Sequence, residues 1–341
     1  MKIAVDAMGG DYAPAVIIDG SVQAAKEGVP IVLVGIKDEV EYHLSKFQTR
    51  GLPITIRHAS EVVGMEESPV TAVRKKKDSS LRVCFDLVKN HEAGAVVSAG
   101  NSGAAMAAGM LVLKRLEGVE RPAITVCWPT IKDGMVAILD VGGNVDCKPI
   151  HLAHFAIMGD VYAKYVMGKD NPKIALLSNG EEEGKGNELT RLTHELLKRS
   201  SLNYAGYIEG KEVFKGEIDV VVTDGFVGNV ALKFGEGLVE AMVAMLKKNM
   251  QESLMAKLGY LLARGAFAKF KKKLDYAEYG GAPLLGIDGI CIISHGSSSA
   301  KAIKNAIFRA NEFIKCGVTA HMNEELEKNK DLAIVSERQT G

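Results

Sequence analysis

Several features that would place a protein in a class at once are absent from this 341-residue chain. Net charge is one: Lys plus Arg and Asp plus Glu both number 42. A neutral chain has no global drive toward nucleic acid or a membrane, so any such drive has to be local. Cysteine is sparse, with Cys84, Cys127, Cys147, Cys291 and Cys316 and no CxxC pair. An odd number of unpaired cysteines argues against a disulfide framework or a structural zinc, and suits a reducing cytosol. No apolar run approaches the ~20 residues of a membrane span. Met1-Lys2 leads straight into an apolar strand with no secretory segment ahead of it. The expectation is a soluble, cytoplasmic protein that binds no nucleic acid.

Familiar catalytic signatures are also missing. Gly180-Glu181-Glu182-Glu183-Gly184-Lys185-Gly186 is one residue too short between its glycines for a P-loop, and has Gly186 where Ser or Thr should follow the lysine. Asp6-Ala7-Met8-Gly9-Gly10 does not give GxGxxG after the first strand, which removes the usual support for a nicotinamide cofactor. Gly100-Asn101-Ser102-Gly103 is not the GxSxG nucleophile elbow. The histidines lack metal-ligand spacing such as HExxH, so no metal and no cofactor are expected. Cys147 and His151 could face each other one helical turn apart, but a thiol nucleophile needs an activating base in place.

What is present is one pattern used repeatedly. Ala95-Val96-Val97-Ser98 runs into Ala99-Gly100-Asn101-Ser102-Gly103 and then into a small-residue helix. Strand, tight turn and helix leave free backbone N–H groups at the positive end of the helix, a place suited to an anion. An ordinary strand-to-helix loop is the alternative for that stretch alone. The same opening follows Ile3-Ala4-Val5 (into Asp6 to Asp11), Val136 to Leu139 (into Asp140 to Asn144) and Ile174 to Leu177 (into Ser178-Asn179-Gly180). It recurs after Val220-Val221-Val222 (into Thr223 to Asn229) and Ile290 to Ile293 (into Ser294 to Ser298). Ligands of open α/β sheets bind outside the carboxyl ends of strands, so six such ends imply one polar cleft if they converge. Asn101, Asn144, Asn179 and Asn229 can donate without bearing charge. Lys185 and His295 can offset an anion, and Asp6, Asp11, Asp224 and Glu182 can take or hold a proton. Such a cleft suits an oxyanion or a phosphate and holds no evident covalent nucleophile.

Taken in order, the first sixty residues read β-α-β-α-β, which implies a doubly wound, mostly parallel α/β sheet. Pro14 suits the first turn of a helix to about Glu27. Ser68-Pro69 opens another, closed by Arg74-Lys75-Lys76-Lys77, a basic cluster that reads as a solvated cap or as a dock for an acidic partner. Residues 123–128 and 135–139 form a hairpin around Asp133-Gly134, so the sheet is locally mixed. A helix over Pro149 to Met167, a strand over 173–177 and a helix over 187–200 follow. Short strands near Tyr204 and Val213 precede the strand at 218–222. Apolar residues at 227, 230, 231, 234, 238, 242, 245 and 246 mark a core face on a helix over 227–249. Strand 290–293, helix 298–315 and a frayed charged tail close the chain. With 47% hydrophobic residues, 1–341 is expected to fold as a single α/β unit of two lobes.

Residues 250–275 break that rhythm. Leu254, Met255, Leu258, Leu261 and Leu262 share one helical face beside Lys257 and Arg264. Phe267, Phe270 and Leu274 share another, among Lys269, Lys271, Lys272 and Lys273. From Lys247 to Lys273 there are eight basic residues and one acid, Glu252. Two readings stand: core-packed helices with a solvated edge, or an amphipathic basic hairpin that offers leucines and lysines to an anionic membrane or an acidic protein.

The six motifs, from Lys2-Ile3-Ala4-Val5-Asp6-Ala7-Met8-Gly9-Gly10-Asp11 through Ser98-Ala99-Gly100-Asn101-Ser102-Gly103-Ala104, Asp140-Val141-Gly142-Gly143-Asn144, Leu177 to Gly186 and Thr223 to Asn229 to Ser294-His295-Gly296-Ser297-Ser298, resemble in order those of the PlsX family of phosphate acyltransferases. The resemblance covers nearly the whole chain. It implies a fold akin to isocitrate and isopropylmalate dehydrogenases and phosphotransacetylases, and a homodimer. It also implies an acyl group taken from acyl carrier protein onto inorganic phosphate, and an acyl phosphate passed to the membrane glycerol-3-phosphate acyltransferase of phospholipid synthesis. On that reading phosphate sits on the N–H groups of Asn101, Ser102 and Gly103, with Lys185 and Ser297 of the 294–298 turn. Asn144 or Asn229 polarises the thioester carbonyl, and Asp6 or Asp224 positions or deprotonates the phosphate. The hairpin then meets the membrane or the carrier protein through Leu254, Leu258, Leu261, Leu262, Lys257, Arg264, Lys271 and Lys272, with peripheral membrane association. A nicotinamide-dependent dehydrogenase of related fold and a non-enzymatic lipid-surface scaffold are the rivals. The first lacks its nucleotide motif, and the second leaves six polar strand ends idle.

Overall fold

The structure is a computed structural model that describes residues 1–251 and 253–340, without the side chains of Leu254, Lys271, Tyr276, Ile334 and 337–340. The expected side-chain roles of Leu254 and Lys271, and the acid Glu252, therefore lie outside the described residues.

Strands β1 (Ile3–Asp6), β2 (Ile31–Gly35) and β3 (Ile54–His58) alternate with helices α1 (Ala15–Lys26) and α2 (Lys37–Leu44). Helices α3 (Pro69–Lys75) and α4 (Ser80–Lys89) lead to β4 (Ala95–Ser98). Next comes α5 (Ser102–Ala108), prolonged by a π-helical turn over Gly109–Leu113. The middle of the chain holds β5 (Ala123–Pro129), β6 (Met135–Leu139), α6 (Pro149–Tyr165), β7 (Ile174–Ser178), α7 (Glu188–Leu197), β8 (Tyr204–Glu209) and β9 (Val220–Val222). Helices α8 (Gly225–Gln251), α9 (Leu254–Leu262) and α10 (Arg264–Leu274) follow. The chain ends with β10 (Ala282–Leu285), β11 (Cys291–Ile293), α11 (Ala300–Cys316), α12 (Val318–Lys328) and α13 (Asp331–Thr340).

All strands join one 11-stranded sheet in the order β3-β2-β1-β4-β11-β10-β5-β6-β9-β7-β8. Pairing is parallel on both flanks and antiparallel at three central steps, β11 to β10, β10 to β5 and β5 to β6. Three reversals make the β6-β9-β7-β8 half run opposite to the β3-β2-β1-β4-β11 half. The alternation Ile3, Val5 against Ala4 sends side chains into two separate apolar layers, one on each face of the sheet. Burial on both faces is what a parallel sheet covered by crossover helices requires. Helix α6 is buried from Pro149 to Ala163 on every side, as a helix apolar all round should be.

Four local expectations change. The segment at Val213 is a 3₁₀ turn, Val213–Lys215, not a strand. The tail is helical: α12 and α13 bury Val318, Met322, Leu326 and Leu332 in the core. Strand β10 was not anticipated, because Pro283 lies in it and proline lacks the donor an interior strand uses. Most consequential is α8. Its apolar stripe is not a core face: Phe234 is 72% exposed, and Val230, Leu238, Met242 and Met245 are exposed with it. Only Gly225 and Gly228 of α8 are buried among the described residues.

Candidate active site

The six strand ends do not open into one rim. Pairing places the ends of β1, β4 and β11 together, and those of β6, β9 and β7 together at the oppositely directed end.

In the first group the backbone of Asp11 donates to the Gly296 carbonyl at 2.9 Å, which locks the loop after β1 to the loop after β11. Gly9 packs so closely that a Cβ there would stand 2.5 Å from Asp6 Oδ2 and 2.9 Å from the Gly100 nitrogen. Beneath these turns Asp6 is buried and accepts from Ser98 Oγ at 2.7 Å. Burial pushes its carboxyl above the ordinary range, against hydrogen bonds from Ser80, Ser98 and the Met8 and Gly9 backbone. Asp6 is thus a buried support of the turns, away from solvent. His295 and Ser297 are exposed, with Nδ1 and Oγ 2.7 Å apart.

Asn101 caps α5: its Oδ1 accepts from the Ala104 N–H at 3.0 Å. Its Nδ2 donates to the carbonyls of Met65 and Glu67, at 2.8 and 3.3 Å. The side-chain amide is therefore engaged on both atoms, which leaves Ser102 and Gly103, in the first turn of α5, with N–H groups that have no intrahelical acceptor. Gly103 is required there because a Cβ would stand 2.8 Å from Pro69 Cγ of α3.

The second group is organised by Asp140, which directly follows β6 and is fully buried. Its Oδ1 accepts from the Ile124 and Gly143 N–H groups at 2.9 and 3.1 Å. Its Oδ2 accepts from the Asn144 N–H at 2.6 Å and Asn144 Nδ2 at 2.9 Å. Burial raises this carboxyl as well, opposed by those N–H donors. Asn144 also donates to the Pro122 carbonyl at 2.7 Å, so its amide is spent on the scaffold. The Asn144 carbonyl accepts from the Gly225 N–H at 2.8 Å, which ties the turn to α8. Asp224 caps α8, accepting from Phe226 and Val227 N–H groups at 3.0 and 2.9 Å. Asn229, in the first turns of α8, has its side chain 3.4 Å from where a Cβ on Gly142 would stand and makes no side-chain hydrogen bond among the described residues.

Helix α5 joins the groups. It starts at Asn101 in the first, and Met106 Sδ lies 3.2 Å from where a Cβ on Gly143 would stand in the second. Five residues of helix span roughly 7–8 Å, so both groups border the same short helix. Loop 179–186 closes on itself through the Gly186 N–H to Asn179 Oδ1 at 2.9 Å. Lys185 is exposed and forms no ion pair among the described residues. Burial and the nearby Asp140 carboxylate push the Cys147 thiol up to about 12, and Cys84, Cys127 and Cys291 are raised by burial too. None is a thiolate at neutral pH, so no cysteine near the site is an activated nucleophile.

The chain matches the family described as "Fatty acid synthesis protein" over residues 1–321. The phosphate acyltransferase of Geotalea uraniireducens is 63% identical over 333 residues, 97% of this chain and 96% of that protein. That of Geobacter sulfurreducens is 60% identical over 328 residues, 96% of this chain and 94% of that protein. The chain belongs to this phosphate acyltransferase family. It is an acyltransferase. A phosphotransacetylase from Streptococcus pyogenes superposes with a TM-score of 0.60 at 21% identity, over 92% of this chain and 94% of that one. A 4-hydroxythreonine-4-phosphate dehydrogenase from Klebsiella pneumoniae does so at 0.53 and 14%, over 92% and 99%. These likenesses show a fold shared by phosphotransacylases and a dehydrogenase.

Sequence reasoning passed over Asp140 and Met106. Asp140 had a legible signal, a carboxylate set directly after a buried strand and before two glycines. Met106 had none, since only the packing of α5 reveals that it reaches the second group.

Proposed function

We propose that the chain moves an acyl group from acyl carrier protein to inorganic phosphate, with acyl phosphate and free carrier thiol as products, in bacterial phospholipid synthesis. The observation that carries the mechanism is a set of backbone N–H and side-chain donors beside cysteines whose thiols burial keeps protonated. Phosphate itself is then the nucleophile. A phosphate oxygen attacks the thioester carbonyl, the tetrahedral intermediate collapses, the carbon–sulfur bond breaks, and the thiolate leaves to take a proton. Holding both reactants beside α5 turns a two-body encounter into a nearly unimolecular step.

Within this reading phosphate lies on the Ser102 and Gly103 N–H groups, with Lys185 and Ser297 as further donors. Asn229 is the donor to the carbonyl, because the amides of Asn101 and Asn144 are already committed to the scaffold. Asp224 borders the site as the α8 cap, and Asp6 supports the turns from below. The exposed stripe of α8, with Phe234, Leu238 and Met242, supports a homodimer. In α9 and α10, Leu258 is 52% exposed, Leu261 64% and Leu262 81%. They lie beside Lys257, Arg264 and Lys272, which supports peripheral contact with an anionic membrane surface. That contact would deliver the apolar product to the membrane glycerol-3-phosphate acyltransferase. No helix of the described residues is long and apolar enough to cross a membrane.

The test is free-thiol release from palmitoyl-carrier protein with and without phosphate. Phosphate-dependent release, with a hydroxylamine-reactive acyl product, supports the reading. Release that ignores phosphate, or occurs only from coenzyme A thioesters, refutes it.

A further inference from the structure

The geometry points to Asp140 as a positioning residue that sets the Asn229 amide for the acyl transfer, and this rests on the reading of Asn229 as the carbonyl donor. Four N–H donors converge on the buried Asp140 carboxylate, from Ile124, Gly143 and both nitrogens of Asn144. Through them one side chain fixes the whole 141–144 turn. That turn in turn holds the start of α8 at three places. The Asn144 carbonyl receives the Gly225 N–H. Gly228 lies directly against the Asp140 carbonyl oxygen, and Gly142 lies against the Asn229 side chain. Asn229 is thus seated on a turn whose shape Asp140 sets, and it has no side-chain hydrogen bond of its own among the described residues to hold it otherwise. The same turn carries Gly143 against Met106, so Asp140 also fixes how far α8 stands from α5 and the first group of strand ends.

Asp140→Asn keeps the side-chain volume but sets an NH2 group among N–H donors, which leaves at least one of them unpaired and lets the turn relax. The predicted effect is on turnover. With palmitoyl-carrier protein and phosphate, Asn229→Ala should lower kcat about 100-fold, as loss of an oxyanion donor does elsewhere. Asp140→Asn should lower kcat roughly 10- to 100-fold with the KM for phosphate changed less than about 3-fold. The deciding measurement is the double variant Asp140→Asn/Asn229→Ala. If Asp140 acts through Asn229, the double variant is within about 3-fold of Asn229→Ala alone, because a misplaced donor and an absent one lose the same interaction. Losses that multiply in the double variant overturn the role of Asp140 while leaving Asn229 in place. Full turnover in Asn229→Ala refutes the donor reading instead, and the proposal falls with it. Should Asp140→Asn fail to fold, Asn144→Ala removes the two Nδ2 bonds with Asp140 intact and enters the same cycle with the same expected outcome.

Discussion

A methyl group at Gly228 tests the seating of α8 directly. A Cβ on Gly228 would stand 2.0 Å from the Asp140 carbonyl oxygen and 3.0 Å from Thr223 Cγ2. Ordinary contact begins at 3.4 Å, so the first turn of α8 would have to withdraw by 1.4 Å (3.4 minus 2.0) from that oxygen. The oxygen cannot yield instead. Asp140 is held from both sides, by its N–H to the Thr223 carbonyl at 3.0 Å and by the four donors to its carboxylate. Overpacking against fixed backbone costs about 3 kcal/mol. At the lower end of about 2 °C per kcal/mol, that is a fall in Tm of roughly 6 °C for Gly228→Ala. A displacement on this scale at a reacting group costs about 100-fold in rate, so kcat for phosphate-dependent thiol release should drop by that factor in protein that remains folded. Gly237→Ala is the control. It lies on the same helix with nothing within 4 Å of the added Cβ, and an alanine in an exposed helix interior stabilises by up to about 1 kcal/mol. Equal melting temperatures and equal turnover in Gly228→Ala and the parent would show that α8 is not seated on the Asp140 turn.

Three further outcomes follow from other residues. His154 is buried with Nδ1 unpartnered among the described residues, and burial lowers its imidazole from 6.5 to about 4. The unfolded chain takes up a proton below about 6.5 while the folded one resists until about 4, so stability falls as pH drops through that window. At 1.36 kcal/mol per unit this approaches about 3 kcal/mol, and His154→Leu should show a shallower loss of Tm between pH 7 and pH 5 than the parent. Cys147→Ser should keep turnover within about 3-fold, since a thiol held near 12 is no thiolate nucleophile; a loss of more than about 100-fold would refute direct attack by phosphate. Replacing Lys257, Arg264 and Lys272 with Glu should abolish flotation with anionic vesicles and leave thiol release from soluble donor intact, whereas equal flotation with neutral vesicles in the parent would sink the electrostatic account.

The elements that were legible in the sequence are those whose signal is local. The β-α-β-α-β opening, the hairpin at 133–134 and the Ser68-Pro69 helix start each carry their own pattern of alternation, turn or cap. What escaped is decided by partners distant in the chain. β10 exists because Leu284 and Leu285 pair with Ile124 and Ala123 and Ala282 and Pro283 pair with Ile293 and Ile292. Its proline would otherwise speak against an interior strand. The stripe on α8 has the period of a core face, and periodicity reports only that a face wants cover, not whether this chain provides it. At the site, the residue types were legible but their use was not. Asn101, Asn144 and Asn229 look alike in sequence as uncharged donors. Only the hydrogen bonds separate a helix cap and a turn brace from an amide still available.

Asp6 and Asp140 show how the two halves of the sheet solve one problem in the same way. Asp6 ends strand β1 and Asp140 directly follows β6, and each lies under a Gly-Gly turn: Gly9 and Gly143 would place a Cβ 2.5 and 3.0 Å from the respective carboxylates. A dianion such as phosphate would be repelled by about 7 kcal/mol from a bare carboxylate 5 Å away at an effective dielectric of 20. Turning each carboxylate inward onto N–H and hydroxyl donors sets opposing dipoles around it. It also keeps both carboxylates off the outer surface of the turns. The glycines are then required twice over. A side chain would collide with the carboxylate below, and it would cover the outer surface that an anion approaches. A site built this way can be rigid while neither of these two carboxylates faces the phosphate it has to receive.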